Sequence, residues 1–180
     1  MPTFALISRF MTSDIPYLPE WFEYYYRLGI DHFYLYYVDK RYINVEHACQ
    51  PHIGKNYTIR LVNPRNRDIN LVLRDIPYSI KEDYCIHVDS DEFLWLNGMT
   101  LSQFVERYNT YNSFTFPWLM CPNRHAYSEC LDDILKDSEN PKYFVPMTKM
   151  MARTDCIQFG NDCHSFVSRQ PFETQRNGLS

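Results

Sequence analysis

Tyr84-Cys85-Ile86-His87-Val88-Asp89-Ser90-Asp91-Glu92-Phe93 is the stretch from which the rest of this chain can be read. Tyr84 to Val88 is a short, largely apolar run of the kind that forms a strand covered on both faces. Asp89 stands where that strand should end, and three of the four residues from 89 to 92 are acids. Side chains alternate along an extended segment, which predicts Asp89 and Asp91 on one side and Ser90 and Glu92 on the other. Two carboxylates about 4 Å apart repel by roughly 1–4 kcal/mol, a cost that a bound cation removes. Mg²⁺ takes one or two carboxylates and completes its shell with phosphates and water; Mn²⁺ behaves similarly and also accepts imidazole. The pair is therefore expected to hold Mn²⁺ or Mg²⁺, which would assist departure of a diphosphate. A D-x-D string is also common in solvated turns. What sets this one apart is a second apolar run, Phe93-Leu94-Trp95-Leu96, read as another hydrophobic strand.

Working outward, strands and helices alternate. Phe4 to Ser8 reads as a buried strand, followed by a turn with Asp14 and Pro16. Leu18, Trp21, Phe22, Tyr25 and Leu28 recur at helical spacing, with Pro19 in the first turn and Gly29 placed to end the helix. His32–Val38 and Tyr57–Val62 are further strands. A short helix is expected over 45–52, and an amphipathic one is marked by Ile69, Val72, Leu73 and Ile76. Thr100 and Gln103 form a capping-box pair before the helical face of Leu101, Phe104, Val105 and Tyr108. Ser113–Trp118, Tyr143–Arg153 and Ser165–Arg169 read as extended. This order predicts an α/β fold: a mostly parallel, Rossmann-like central sheet flanked by helices, with a small mixed C-terminal sheet portion. One domain is expected over residues 4–170, with 171–180 a frayed tail or a point where a longer, multidomain chain was cut. In such sheets ligands bind beyond the carboxyl ends of the strands. That rule singles out Arg9, Asp39, Asn63 and the Asp89–Asp91 pair.

The composition narrows the function classes. The formal charge is −4 over 180 residues, which argues against a broad nucleic-acid face. No run of 18 apolar residues suggests a membrane span, and the N-terminal apolar run is too short for a signal sequence. The 6 Cys show no C-x-x-C pair and read as reduced thiols in a cytoplasmic setting. Cys156, Cys163 and His164 cluster in the sequence, but their spacing is poor for structural zinc.

The acidic string Asp89-Ser90-Asp91-Glu92-Phe93 resembles the D-x-D-E-F motif of glycosyltransferases with the GT-A fold. Tyr17-Leu18-Pro19-Glu20-Trp21, Tyr25, Leu28-Gly29-Ile30 and Phe33-Tyr34 resemble a family-92-like and family-2-like group of small glycosyltransferases. Phe116-Pro117-Trp118 resembles their F-x-W strand, and Lys149 with His164 their late K…H pair. The resemblance covers about residues 4–167. It departs from the family at Arg9-Phe10-Met11, where R-N-E is usual, and at Met120-Cys121-Pro122-Asn123-Arg124, where Phe-Gly-Ser is usual.

The resemblance implies a GT-A-like enzyme that moves a hexose from a UDP-sugar to a glycan hydroxyl. Asp89 would touch ribose or metal, Asp91 would ligate the metal, and His164 would be the third ligand. Asp39 would contact uracil or ribose, Arg9 would line the base pocket, and Lys149 would offset diphosphate charge. Glu92 would brace the metal loop or serve in catalysis, and Asp162 is a candidate acid/base. Trp118 and His125 would face the acceptor. Three alternatives share parts of this pattern: a sugar-nucleotide hydrolase, a nucleotidyltransferase, or a non-catalytic nucleotide-sugar-binding domain. The Gly-rich basic loop usual in nucleotidyltransferases is missing after the first strand, which reads Ser8-Arg9-Phe10-Met11-Thr12.

Overall fold

The structure, a computed structural model, describes residues 1–39, 56–61, 79–119, 144–160, 165–168 and 174–176. The first strand, β1 (Phe4–Phe10), lies in the interior of the sheet and is followed by a 3-10 helix, Thr12–Tyr17. Helix α1 (Leu18–Leu28) buries Leu18, Trp21, Phe22, Tyr25 and Leu28, the face expected from their spacing. Gly29 ends it at φ 104°, and its amide donates to the Tyr25 and Tyr26 carbonyls. A left-handed residue at this point satisfies carbonyls that the helix would otherwise leave open.

Strands β2 (His32–Tyr37) and β3 (Tyr57–Leu61) extend the sheet on one side, and β4 (Tyr84–His87) on the other. All three neighbour pairings among β1 to β4 are parallel. An Asn97-Gly98 turn, at φ 53° and 80°, precedes helix α2 (Leu101–Arg107). The Thr100–Gln103 capping box forms as expected: Thr100 Oγ1 accepts from the Gln103 amide at 3.3 Å, and Gln103 Oε1 from the Thr100 amide at 2.9 Å.

The remaining strands are β5 (Ser113–Leu119), β6 (Phe144–Arg153), β7 (Ile157–Gly160), β8 (Phe166–Ser168) and β9 (Thr174–Arg176). The large sheet has the order β3-β2-β1-β4-β6-β5-β9, and β7 and β8 form a separate antiparallel pair. β6 runs antiparallel to both β4 and β5, so the sheet is mixed beyond its parallel centre. This is the expected α/β class, with mixed pairing confined to the later part of the chain.

Both faces of the central strands are buried. Phe4, Leu6 and Phe10 join Trp21, Phe22, Phe33, Ile86 and Phe104 in one cluster, against the two helices. Ala5 and Ile7 face the other way, with Tyr34, Tyr36, Cys85, Ile157 and Phe166. Fully burying one such side chain contributes roughly 1.5–3 kcal/mol, which explains why near-continuous apolar runs make these strands.

Three readings need correction. Phe93–Leu96 is not a strand: it lies beyond the ladder in irregular backbone, anchored by side chains of α1. The turn expected near Asp14 is a 3-10 helix, because Pro16 fits that geometry and the Met11 amide donates to Asp14 Oδ2 at 2.8 Å. Residues 174–176, within the stretch expected to fray, pair in parallel with Ser113–Thr115 as an edge strand. The helices expected over 45–52 and 69–76 lie outside the described residues. Among the described residues no helix is long and apolar enough to cross a membrane.

Candidate functional site

β1, β2 and β4 run in parallel, so their carboxyl ends open on one edge of the sheet. Arg9 lies near the end of β1, Asp39 follows β2, and Asp89 follows β4. The antiparallel β6 brings Lys149 to the same edge, two positions beyond Met151, which pairs with Ile86 of β4.

Arg9, Asp89 and Lys149 form one ionic cluster with Glu92. Arg9 Nε donates to Asp89 Oδ1 at 3.1 Å, and Lys149 Nζ donates to Asp89 Oδ2 at 3.1 Å. Lys149 Nζ also meets Glu92 Oε2 at 2.9 Å. That same oxygen accepts from the Asp89 amide at 2.7 Å. Lys149 is 6% exposed and Glu92 8% exposed. Burial alone would raise the Asp89 carboxyl; Lys149, His87 and Arg9 outweigh it and hold the group below its ordinary range. Burial would lower the Lys149 ammonium, but the Glu92 and Asp89 carboxylates hold it above its ordinary value.

The expected alternation of Asp89 and Asp91 is not what the backbone adopts. Val88 is the last residue to follow the sheet, its amide donating to the Ile7 carbonyl at 3.0 Å. The chain then turns, and the Glu92 amide closes onto the Asp89 carbonyl at 3.1 Å. Ser90 and Asp91 occupy the turn, with Asp91 exposed. Glu92, rather than Asp91, therefore shares the buried cluster with Asp89. Its Oε1 is buried and has no hydrogen-bond partner among the described residues.

The turn is held from two directions. On the α1 side, Trp21 Nε1 and the Tyr25 hydroxyl both donate to the Glu92 carbonyl at 3.1 Å. The Tyr25 oxygen in turn accepts from the Leu94 amide at 3.1 Å, and the Tyr24 hydroxyl donates to the Leu94 carbonyl at 2.5 Å. On the β1 side, the Ser90 hydroxyl donates to Asp14 Oδ2 at 3.1 Å. The Thr12 amide donates to Asp39 Oδ2 at 3.3 Å, which ties the loop after β1 to the end of β2. Trp21, Tyr25 and Asp14 were not singled out as site residues from the sequence. The spacing of Trp21 and Tyr25, one helical turn apart, was the available signal.

A lysine in an apolar strand, here Lys149, either guards a sheet edge or meets a ligand such as a phosphate. The first is excluded, since β6 lies between β4 and β5. The β5–β6 register shifts between Pro117 and Trp118, just past the Phe116–Lys149 pair. Pro117 cannot donate to a ladder, and bulges of this kind re-aim neighbouring side chains. Here the Trp118 ring lies 5.8 Å from Lys149 Nζ. Trp118 is thus within reach of the cluster. Asn63, His125, Asp162 and His164 lie outside the described residues.

A divalent cation would find hard oxygen donors here. Asp89 and Asp91 give two carboxylates on one turn, a number that suits Mg²⁺ or Mn²⁺, and Glu92 Oε1 has no hydrogen-bond partner among the described residues. Among the described residues no three His, Cys, Asp or Glu side chains gather around one position. A shallow groove lies at the opposite sheet edge, lined by Pro2, Lys81, Asp83, Arg153 and Asp155. Arg153 and Asp155 pair with each other at 2.6 Å, and strand polarity places the ligand edge at Asp89 instead.

No protein-family model matches the sequence, and no curated protein matches it. Solved structures do match in shape. HddC from Yersinia pseudotuberculosis superposes with a TM-score of 0.57 at 8% identity, over 98% of this chain and 90% of that one. A mycobacterial protein superposes at TM-score 0.50 and 12% identity, over 87% of this chain and 54% of that one. A CMP:2-keto-3-deoxy-manno-octonic acid synthetase complexed with CTP reaches 0.49 at 14% identity, over 85% and 75% of the respective chains, too low an overlap to extend the fold argument. At these identities the likeness concerns the fold alone. It agrees with the observed GT-A-like arrangement, a mixed α/β sheet with a parallel centre.

Proposed function

We propose that this chain is a glycosyltransferase that moves a hexose from a UDP-sugar to a glycan hydroxyl with Mn²⁺ or Mg²⁺ as cofactor. The observation that supports this reading best is the convergence of Arg9, Asp39, Lys149 and the Asp89–Glu92 turn at the carboxyl edge of the parallel strands. That edge is where open α/β sheets bind ligands. The likeness of Asp89-Ser90-Asp91-Glu92-Phe93 to D-x-D-E-F supports the same reading.

In this proposal Asp91, exposed on the turn, ligates the cation together with His164, and Asp89, whose two carboxylate oxygens bond Arg9 and Lys149, touches the ribose or the metal from the turn it anchors. The cation when bound would neutralise charge on the departing diphosphate. Arg9, whose side chain is 44% exposed beside Asp89, lines the nucleotide pocket. Asp39 and Asn63 contact the uracil or ribose. Lys149 offsets charge at the diphosphate end, and Trp118 and His125 face the acceptor. Asp162 is the acid/base candidate. Glu92 is assigned to holding the turn, since its side chain is buried and its Oε2 bonds both Lys149 and the Asp89 amide.

Calorimetry of UDP binding, with Mn²⁺ and with chelator, tests the proposal on wild type and Asp91→Ala. UDP binding that requires Mn²⁺ and is lost in Asp91→Ala is expected. UDP binding that survives both chelation and the substitution would overturn the metal role, and no UDP binding under any condition would overturn the donor assignment.

A further inference from the structure

Lys149 has a buried ammonium on an interior strand, and it joins two carboxylates that belong to one four-residue turn. Glu92 Oε2 receives both this ammonium and the Asp89 amide, so the contacts close a ring: Lys149 to Asp89, Asp89 amide to Glu92, Glu92 to Lys149. Opening that ring would leave two neighbouring acids, one of them almost fully buried, with the half-exposed Arg9 and His87 as the positive influences that remain on Asp89 among the described residues. Glu92 Oε1 has no hydrogen-bond partner among the described residues, and burial raises the Glu92 carboxyl above its ordinary value despite Lys149.

We infer that Lys149 is a positioning residue that serves as the resident cation of this site: through Asp89 and Glu92 it sets the turn that presents Asp91 before any divalent ion is bound. The inference deepens the proposed function and rests on it only for the identity of the ion that Asp91 receives. Lys149 and the divalent ion answer the same electrostatic demand, which makes the shape of the turn independent of metal. The position of Lys149 is set by the β6 ladder, since Lys149 itself pairs with Phe116 of β5 and Met151, two residues on, pairs with Ile86 of β4.

Thermal unfolding of wild type, Lys149→Met, Glu92→Gln and the double variant tests this, each in chelator and in Mn²⁺. Methionine keeps length and packing while removing charge. In chelator, Lys149→Met should lower Tm by about 10 °C, the scale expected when one partner of a buried pair is removed. Adding Glu92→Gln, which removes one of the two acids without changing shape, should restore at least half of that loss. A double variant no more stable than Lys149→Met would overturn the inference, because Lys149 would then be supplying packing and not charge. If Lys149→Met does not fold, the double variant decides: folding supports the inference and failure to fold overturns it. The Mn²⁺ arm separates the two readings. Under both, Mn²⁺ should raise the Tm of Lys149→Met by at least twice its effect on wild type. Rescue by Glu92→Gln with no Mn²⁺ shift in any variant would sink the metal reading and leave the resident-cation inference standing.

Discussion

The hydroxyl of Tyr25, on helix α1, donates to the carbonyl of Glu92 at 3.1 Å across 67 residues of sequence. The same oxygen accepts from the Leu94 amide, so one side chain spans the two ends of the segment that follows the site turn. Phe93, between them, stacks on Tyr25 with ring planes 9° apart. The packing of α1 on the sheet and the shape of the acidic turn are therefore one structural problem, solved largely by Trp21, Tyr24 and Tyr25.

Tyr25→Phe should expose how much of the turn depends on that hydroxyl. The Glu92 carbonyl would keep its bond from Trp21 Nε1, while the buried Leu94 amide would lose its acceptor. Leaving a buried donor unsatisfied costs about 1–3 kcal/mol. The urea midpoint should fall accordingly with the slope unchanged, and UDP affinity should fall with it. An unchanged midpoint would mean that Leu94 finds another acceptor.

Gly29→Ala tests the end of α1. A Cβ at this position meets nothing within 4 Å, so the effect isolates backbone conformation at φ 104°. A non-glycine residue held there costs on the order of 1–3 kcal/mol. Because α1 carries the clamp on Glu92, Tm should drop. A stability equal to wild type would show that the helix end relaxes to another cap.

Local signals were legible in the sequence, and long-range ones were not. α1 could be read because Leu18, Trp21, Phe22, Tyr25 and Leu28 repeat at the helical period and Gly29 stops them; the Thr100–Gln103 cap is likewise contained within four residues. The strand ending at Asp89 was equally plain. What failed was extending strand alternation past Val88, where the ladder to β1 ends and the backbone is free to turn. The contact between Lys149 and Asp89 spans 60 residues and depends on β6 inserting between β4 and β5, which no local pattern encodes. Three polar residues such as Thr174–Arg176 carry too little periodicity to announce an edge strand.

Alkaline pH should weaken the fold through Cys85. Burial pushes this thiol up to about 12, whereas an unfolded thiol titrates near ~8.5. Its contribution is fully present below ~8.5 and is lost as pH rises from there toward 12, because the unfolded chain releases the proton first. Between pH 8.5 and 9.5 wild type should lose about 1 kcal/mol. Cys85→Ala, although less stable at pH 7 from lost packing, should show a flatter profile in that interval. Tyr34 and Tyr84, also raised by burial, enter only above about 10. Equal slopes for wild type and variant would remove Cys85 as the cause.

Asp89 and Asp91 should separate by substitution, although the sequence presents them as a matched pair. Asp91 is exposed in the turn, so Asp91→Ala should change stability by no more than about 0.5 kcal/mol while abolishing Mn²⁺-dependent UDP binding. Asp89 is bonded to Arg9 and Lys149 with 22% of its side chain exposed. Asp89→Asn removes one partner of the buried ammonium and should cost about 1–3 kcal/mol, below the fully buried case because solvent screens part of the site. The asymmetry should also appear in acid. The Asp89 carboxyl is held below its ordinary range, so its contribution is present above ~3.9 and is lost as pH falls through the folded value. Wild type should therefore lose stability below pH 4 more steeply than Asp89→Asn. Parallel acid profiles for wild type and Asp89→Asn, or a large stability loss in Asp91→Ala, would mean that the two carboxylates do not divide the work between turn and ligand in this way.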